Sequence, residues 1–161
     1  MHGEFRRQIK KWNKAVGLLP KQVDMAALLK QAGLVLEEAK ETYDAAIGND
    51  PIEVLDGLCD VFYTLEHLKT LMDMAGYDTH GAMQAVVENN ELKIRLTESE
   101  ASALKTYFAE RGEPCYITRT SATTYAVQRC SDNKVMKQQY ISGVMTSHPK
   151  VDLSKFLPEG E

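Results

Sequence analysis

The chain of 161 residues has only three cysteines and no long uninterrupted apolar run. Cys59, Cys115 and Cys130 lack the short spacings of a zinc site or a redox pair, so we expect buried or incidental reduced thiols. No segment approaches the roughly 20 apolar residues that a membrane helix needs. The N-terminal residues also lack the apolar stretch of a signal peptide. We therefore expect a cytoplasmic protein that has no membrane partner.

Basic residues are outnumbered by acidic ones: the chain has 19 lysines and arginines, 23 aspartates and glutamates, and a formal charge of −4. A nucleic-acid surface normally needs a concentrated basic patch, so we expect no nucleic-acid partner. The sequence also lacks a Walker loop, a G-x-G-x-x-G fingerprint and the signature of a serine or cysteine nucleophile. An acidic chain can still bind phosphates when it brings divalent cations to them.

Helical patterns fill the first two thirds of the chain. Its composition, 43% hydrophobic and 26% charged, suits one globular domain. Asp50 and Pro51 give the clearest start signal, because aspartate caps a helix and proline suits its first position. Thr97 and Glu100 form a capping box, which is a second start signal. Together with the apolar spacing, these signals predict five helices, at about residues 4–16, 23–47, 51–75, 79–93 and 97–111.

The composition changes after Pro114. Residues 115–120, 124–130 and 135–139 are rich in β-branched and aromatic side chains, which predicts a small antiparallel β region. We expect the tail from about residue 142 to be irregular. The predicted fold class is mostly α: a bundle of four to five helices in residues 1–112, and a β-hairpin appendage with a tail in residues 113–161, within one folding unit.

Acidic residues cluster on two consecutive predicted helices. Glu37, Glu38 and Glu41 form an E-E-x-x-E pattern, and Asp56 and Asp60 lie four residues apart on the next helix. In a helix these spacings place side chains on neighbouring positions of one face. The loop between the helices is short, so they should pack antiparallel and bring the carboxylates together.

Two interpretations of this cluster stay open on spacing alone. A group of five carboxylates would repel one another, and Mg²⁺ or Mn²⁺ would relieve the repulsion because hard cations prefer carboxylate oxygen. The alternative is a solvated acidic face on a non-catalytic helical module that interacts with, or regulates, another protein. Lys40 is the one nearby cation in the sequence, and it points away from the line of the glutamates.

Three segments carry a resemblance to a known family: Glu37-Glu38-Ala-Lys-Glu41, Asp56-Gly-Leu-Cys-Asp60-Val-Phe-Tyr63 and Asn89-Asn90-Glu-Leu-Lys93. Over residues 5–95 the chain resembles the all-α nucleotide pyrophosphohydrolases, which include MazG, the dimeric dUTPases and phosphoribosyl-ATP pyrophosphohydrolase. The MazG-like branch of bacteria and phages is the most similar. Two positions depart from its pattern: Asp56 replaces a glutamate, and Asn89 replaces a serine.

The resemblance implies an enzyme that cleaves a nucleoside triphosphate between its α and β phosphates, giving a monophosphate and pyrophosphate. It implies Mg²⁺, replaceable by Mn²⁺, and an active site built with a second subunit in a homodimer or tetramer. Either Glu38 or Glu37 would accept the proton of the attacking water. The residues that would bind the metal are Glu37, Glu38, Glu41, Asp56 and Asp60.

The same resemblance points to residues that would contact the substrate. Asn90 and Lys93 would contact the β and γ phosphates, and Tyr63 and Trp12 would lie near the base, although both aromatic rings also suit a core. The leading substrates are dGTP or GTP and dUTP, with a role in control of the nucleotide pool. Phosphoribosyl-ATP is disfavoured, because the C-terminal extension and the Asn90 and Lys93 pattern suit the phage-like branch better. His67 is interpreted as a hydrogen-bonding neighbour of the carboxylates.

Overall fold

A computed structural model describes residues 2–137, 139–141 and 144–158. It is mostly helical, as the sequence predicts. The described residues contain five α-helices, and a short 3-10 turn at Leu92–Ile94 follows the fourth: α1 His2–Ala15, α2 Met25–Ile47, α3 Pro51–Met74, α4 Thr79–Glu91 and α5 Glu98–Ala109. No helix in these ranges is long and apolar enough to cross a membrane.

Local capping explains why the helices begin where they do. The Asp24 side chain accepts a hydrogen bond from Ala27 N at the start of α2, and Asp50 accepts from the first backbone amides of α3. The capping box of Thr97 and Glu100 is present at the start of α5. Side-chain oxygens at these positions satisfy amides that have no partner within the helix. The start signals predicted for α3 and α5 are therefore confirmed.

The C-terminal part forms two hairpins, where the sequence predicted three strands and an irregular tail. Strand β1, Cys115–Arg119, pairs antiparallel with β2, Tyr125–Arg129. Val135 makes only an isolated bridge to Gln128. Instead of a longer third strand, β3 at Gln139–Ile141 pairs with β4 at Val144–Thr146. The expectation of an irregular tail from residue 142 was therefore wrong over β4.

Two compact units divide the chain, one of residues 1–79 and 156–161 and the other of residues 80–155. The second unit has a core in which α5 packs on the first hairpin. Its buried side chains are Leu96, Ala101, Leu104, Phe108, Cys115, Val127 and Met136. Thus α5, which the sequence grouped with the preceding helices, packs with the strands that follow it. All three cysteines are free thiols, and only Cys115 is buried.

The first unit consists mainly of α1, α2 and α3. Helices α2 and α3 run antiparallel, as the short loop between them predicted: the Gln31 side chain donates to Thr64 O at 2.9 Å, and Thr42 faces Gly57 nearer the loop. Helix α1 packs on α3, where Arg6 forms an ion pair with Glu66 at 2.8 Å. This antiparallel pair carries all five carboxylates of the predicted metal site.

Candidate functional site

A close approach of two backbones sets the spacing of α2 and α3 beside the carboxylates. A Cβ added at Gly57 would lie 2.5 Å from Thr42 Oγ1 and 3.1 Å from Thr42 Cα. Thr42 Oγ1 already donates to Glu38 O at 2.8 Å, so its hydroxyl is fixed against its own helix. Only glycine fits such a close approach without displacement. The predicted acidic residues lie within four or five positions of it on both helices.

The structure brings the five predicted carboxylates into one electrostatic group. Partial burial raises the pKa of Glu38 first, and the charges of Asp60, Glu41, Glu37 and Asp56 raise it further, in that order. Glu38 is half-buried, whereas the other four side chains are exposed. Two of the four charges that act on Glu38 come from α3, so the acidic residues of the two helices influence one another electrostatically.

The donor set suits a hard divalent cation, since Mg²⁺ and Mn²⁺ prefer carboxylate oxygen. In the part of the chain that the structure describes, no three histidine, cysteine, aspartate or glutamate side chains are close enough as they stand to hold a metal ion. Carboxylates that face one another repel, and exposed ones have room to turn apart. The five metal-binding positions therefore stay a prediction.

A cavity of about 370 Å³ opens between α1, α2 and α3. Its volume lies in the range of about 300–1,000 Å³ found for small-molecule pockets. Leu34 and Thr64 line it, and they lie one helical turn from Glu38 and Asp60 respectively. A turn of α-helix rises about 5.4 Å, so the cavity adjoins the carboxylates along both helices.

The two aromatic residues of the predicted site lie beside this cavity. The Tyr63 ring lines it, and the Trp12 ring meets Tyr63 edge to face, with 5.7 Å between the ring centroids. Trp12 is 51% exposed, so the alternative of a buried core position does not hold for this residue. Tyr63 is half-buried, and burial raises its pKa.

His67 lies in the cavity wall and is absent from the charges that act on Glu38. It is buried, and desolvation lowers its pKa, an effect that the nearby Leu18 backbone only partly offsets. No carboxylate contributes to this shift, so the interpretation of His67 as a hydrogen-bonding neighbour of the carboxylates is not supported.

Asn90 and Lys93 belong to the second compact unit. Lys93 Nζ donates to Asn90 Oδ1, so the predicted phosphate ligands are neighbours at the end of α4. Next to them, Asn89 Nδ2 lies 3.0 Å from His148 Nε2. Burial and the nearby charge of Lys93 lower the pKa of His148. The pair thus belongs to a small cluster of amide, amine and imidazole groups.

Sequence patterns missed the polar residues inside the cavity. Asn13 is 0% exposed, and Gln31 and His67 are also buried. Asn13 and Gln31 look like ordinary polar positions of amphipathic helices, so spacing gives no signal for them. Gly57 did carry a signal, because a glycine inside a helix often has a packing reason.

Comparison of the chain with models of known protein families, with curated proteins and with solved structures found no match. The inference of function therefore rests on the sequence pattern and on the geometry of the first unit.

Proposed function

We propose that the protein is a Mg²⁺-dependent nucleoside triphosphate pyrophosphohydrolase with the all-α fold of that class, which converts a (d)NTP into a (d)NMP and pyrophosphate. One observation carries the proposal: a group of carboxylates on two facing helices adjoins a cavity of ligand size, one helical turn away. A nucleotide has the same two-part chemistry, an anionic phosphate chain beside a flat apolar ring.

Glu38, Glu41, Asp56 and Asp60 would hold two or three Mg²⁺ ions, and Glu37 is the fifth candidate ligand. Bound Mg²⁺ would neutralise the triphosphate and lower the pKa of the attacking water. Glu37, Glu38 and Glu41 belong to α2, and Asp56 and Asp60 belong to the antiparallel α3. Mn²⁺ has similar preferences for oxygen ligands and would substitute.

Glu38 is the better candidate for the proton acceptor, and Glu37 is the alternative. In the metal-free protein, burial and the charges of the other four carboxylates raise the pKa of Glu38, so its carboxylate takes up a proton more readily there than an isolated glutamate does. Glu38 is also the more enclosed of the two side chains. It would accept the proton of the water that attacks the α-phosphorus.

The substrate follows from the cavity and from the resemblance. Tyr63 and Trp12 would flank the base. The contacts of Asn90 and Lys93 with the β and γ phosphates are implied by the resemblance alone. The leading substrates are dGTP or GTP and dUTP. We infer that the enzyme acts in the cytoplasm, where it would control the nucleotide pool.

A second copy of the chain is part of the proposal. Large apolar side chains are exposed on α2 and α3, and we call this set the apolar face: Leu29, Leu36, Tyr43, Ile47, Ile52, Leu55, Leu58 and Leu65. Leu29, Leu36 and Ile52 are each more than 70% exposed. So many exposed large apolar side chains on one helix pair favour an interface there. Two such faces can pack on each other as a helical bundle, giving a homodimer or a tetramer.

Metal-linked melting tests the proposal. At a Mg²⁺ concentration of 100 times Kd, binding should stabilise the parent protein by about 2.7 kcal/mol, and each kcal/mol raises the melting temperature by about 2–4 °C at this size. Glu38→Ala together with Asp60→Ala should abolish both this shift and triphosphate turnover. Coinciding parent curves with and without Mg²⁺ would refute the metal site.

Asp44→Ala together with Glu53→Ala is the matched control. It removes one carboxylate from each of the same two helices, and neither residue is among the charges that act on Glu38. The control variant should keep the Mg²⁺ shift of the parent protein.

The rival is a non-catalytic helical interaction or regulatory module. Four of the five carboxylates are exposed, which is compatible with a solvated acidic face. This rival predicts that neither Mg²⁺ nor any nucleotide changes the melting temperature. It also predicts that the Glu38→Ala and Asp60→Ala variant responds to Mg²⁺ in the same way as the Asp44→Ala and Glu53→Ala control.

A further inference from the structure

Helix α1 carries a row of cations on the side that faces away from α3. Arg7, Lys11 and Lys14 are exposed and lie at positions i, i+4 and i+7, which share one face of a helix. We call these three residues the basic row. Ile9 and Asn13 are buried and lie on the other side of the helix, so the basic row points into solvent.

The basic row has little anionic compensation. Arg7 forms an ion pair with Glu4 of the same helix at 2.6 Å, and both side chains are well exposed. Lys11 and Lys14 form no ion pair in the ranges that the structure describes. Lys10, which is also exposed, adds a further positive charge beside the row. The chain as a whole has a formal charge of −4, so this surface is a positive region on an acidic protein.

Helix α2 carries a row of carboxylates with the same spacing. Glu37, Glu41 and Asp44 are exposed and also lie at positions i, i+4 and i+7, and we call them the acidic row. Gln31 and Thr42, which meet α3, lie on another side of α2. Among the described residues, none of the three carboxylates forms an ion pair.

The two rows match in length and differ in the sign of their charge. Each row spans seven residue steps, which is about 10 Å of helix at a rise of 1.5 Å per residue. Laid side by side, the rows would bring a cation opposite each carboxylate. Within one chain both rows face away from α3, on which α1 and α2 pack, so they do not meet there. A second copy of the chain offers each row its complement.

We propose that the basic row of one copy docks on the acidic row of a second copy, and that Mg²⁺ bound at the proposed metal site releases this contact. Glu37 and Glu41 belong both to the acidic row and to the predicted metal ligands. A bound cation would neutralise the carboxylates that attract the basic row. The docking stands apart from the proposed function, and only its release by Mg²⁺ rests on that function.

This contact uses a different surface from the apolar face. On α2 the acidic row lies roughly a quarter turn around the helix from Leu29 and Leu36. Each copy carries both rows, so a two-fold contact pairs both of them at once and closes. Together with the apolar face it would give a dimer of dimers. At high ionic strength the apolar face alone would hold the copies together.

Light scattering coupled to size exclusion of the metal-free full chain tests the docking. The mass at about 0.01 M ionic strength, where charges act over about 30 Å, should be about twice the mass at about 1 M, where they act over about 3 Å. Mg²⁺ added at low ionic strength should lower the mass to the high-salt value, and NaCl of the same ionic strength should not. A mass that does not depend on salt overturns the proposal.

Charge reversal identifies the two surfaces. Lys11→Glu together with Lys14→Glu should keep the high-salt mass even at low ionic strength, because two acidic rows then face each other. Glu41→Lys together with Asp44→Lys should do the same with two basic rows. An equal mixture of the two variants should recover the mass of the parent protein at low salt, because opposite charges meet again. A mixture that stays at the high-salt mass refutes the pairing of these rows.

Lys105→Glu together with Lys134→Glu is the matched control. It makes the same change of net charge at exposed positions outside α1 and should keep the salt response of the parent protein. A control that loses this response would show that net charge, and not the basic row, governs association, and would overturn the proposal.

The outcomes distinguish this proposal from the proposed function. Asp44→Lys alone changes a residue outside the predicted metal ligands, so it should weaken association at low salt and keep the Mg²⁺ shift in melting. If melting responds to Mg²⁺ but association does not, the release is refuted. If melting does not respond to Mg²⁺ while the mixed variants still recover the parent mass, the metal site is refuted and the docking stands.

Other anionic partners are distinguished in the same experiments. Labelled single-stranded DNA and vesicles of phosphatidylcholine with phosphatidylserine are the probes. Binding of either by the parent protein, lost in the Lys11→Glu and Lys14→Glu variant, together with a mass that salt does not change, would assign the basic row to that partner and overturn self-docking.

Discussion

Glu38 is the residue on which the proposed chemistry depends most. It is half-buried, and four other carboxylates add to the effect of burial in raising its pKa. Helical spacing lets the sequence place the acidic residues at neighbouring positions of α2 and α3, and their binding of a metal stays a prediction. The sequence could not choose between Glu37 and Glu38, since the choice depends on which side of α2 meets α3. The close approach of Thr42 to Gly57 fixes that side.

Glu38→Gln should raise the free energy of unfolding at pH 8 when no metal is present. The pKa of Glu38 is higher in the folded state than in the unfolded state, so its negative charge destabilises the fold. This destabilisation is absent below the unfolded-state pKa, grows as the pH rises, and is complete above the folded-state pKa. The gain should stay below about 1 kcal/mol, because solvent screens a half-buried group.

Urea unfolding of parent and variant at pH 4 and pH 8 measures the effect of this substitution. The difference in the free energy of unfolding between parent and variant should shrink toward pH 4, where the Glu38 carboxyl group becomes protonated in both the folded and the unfolded state. Asp44→Asn changes an exposed residue outside the group of five carboxylates, and it should leave the free energy of unfolding unchanged at both pH values. A Glu38→Gln variant that is less stable than the parent protein at pH 8 would contradict repulsion between Glu38 and the other four carboxylates.

At the scale of elements, the local signals proved sufficient for the helices and for the first hairpin, and insufficient for the second hairpin. Caps such as Asp50 and the box of Thr97 and Glu100 act through neighbouring residues, so the sequence predicts them directly. Strand β4 has three residues, Val144–Thr146, and its pairing depends on β3. A segment this short carries no periodicity, which is why the tail was expected to be irregular.

Gly57→Ala should separate α2 from α3 at the proposed metal site. The new Cβ would meet Thr42 Oγ1 at 2.5 Å, and overpacking of this kind costs about 1–3 kcal/mol. Mg²⁺-linked stabilisation should weaken as well, because the carboxylates of the two helices move apart. Thermal melting with and without Mg²⁺ checks both effects.

Gly33→Ala on α2 is the control for this substitution, because nothing lies within 4 Å of its added Cβ. It should stabilise the protein by about 0.5–1 kcal/mol, the usual gain when alanine replaces glycine in a helix. It should also preserve the Mg²⁺ shift. Thr42→Ala should partly rescue Gly57→Ala, since it removes the hydroxyl but leaves the backbone of α2 close to the new methyl group. Equal effects at Gly57 and Gly33 would disprove a specific close approach.

At the scale of the whole molecule, α2 and α3 meet through Gln31 and Thr64 and through Thr42 and Gly57, while large apolar side chains of both helices stay exposed. Leu55 and Leu58 are among these exposed side chains. The apolar face stays exposed in the single chain, so the periodicity of the sequence alone could not show which surface would cover it. The resemblance implies an oligomer, and we propose that its interface lies on the apolar face.

Leu29→Glu together with Ile47→Lys should convert the proposed oligomer to a monomer. Both side chains are largely exposed, at 73% and 69%, so the change costs the single chain little while it places charges in the proposed interface. Light scattering coupled to size exclusion measures the mass. Ser102→Glu together with Thr106→Lys, on exposed positions of α5, is the control and should keep the parent mass. A monomeric parent protein would contradict the interface.

The most direct test of the proposed enzyme is ³¹P NMR of dGTP, GTP and dUTP incubated with the full chain and Mg²⁺. We predict resonances of a nucleoside monophosphate and pyrophosphate, growing fastest with dGTP or GTP, and no growth without a divalent cation or in the Glu38→Ala and Asp60→Ala double variant. Unchanged triphosphates, or orthophosphate with a nucleoside diphosphate, would contradict cleavage between the α and β phosphates.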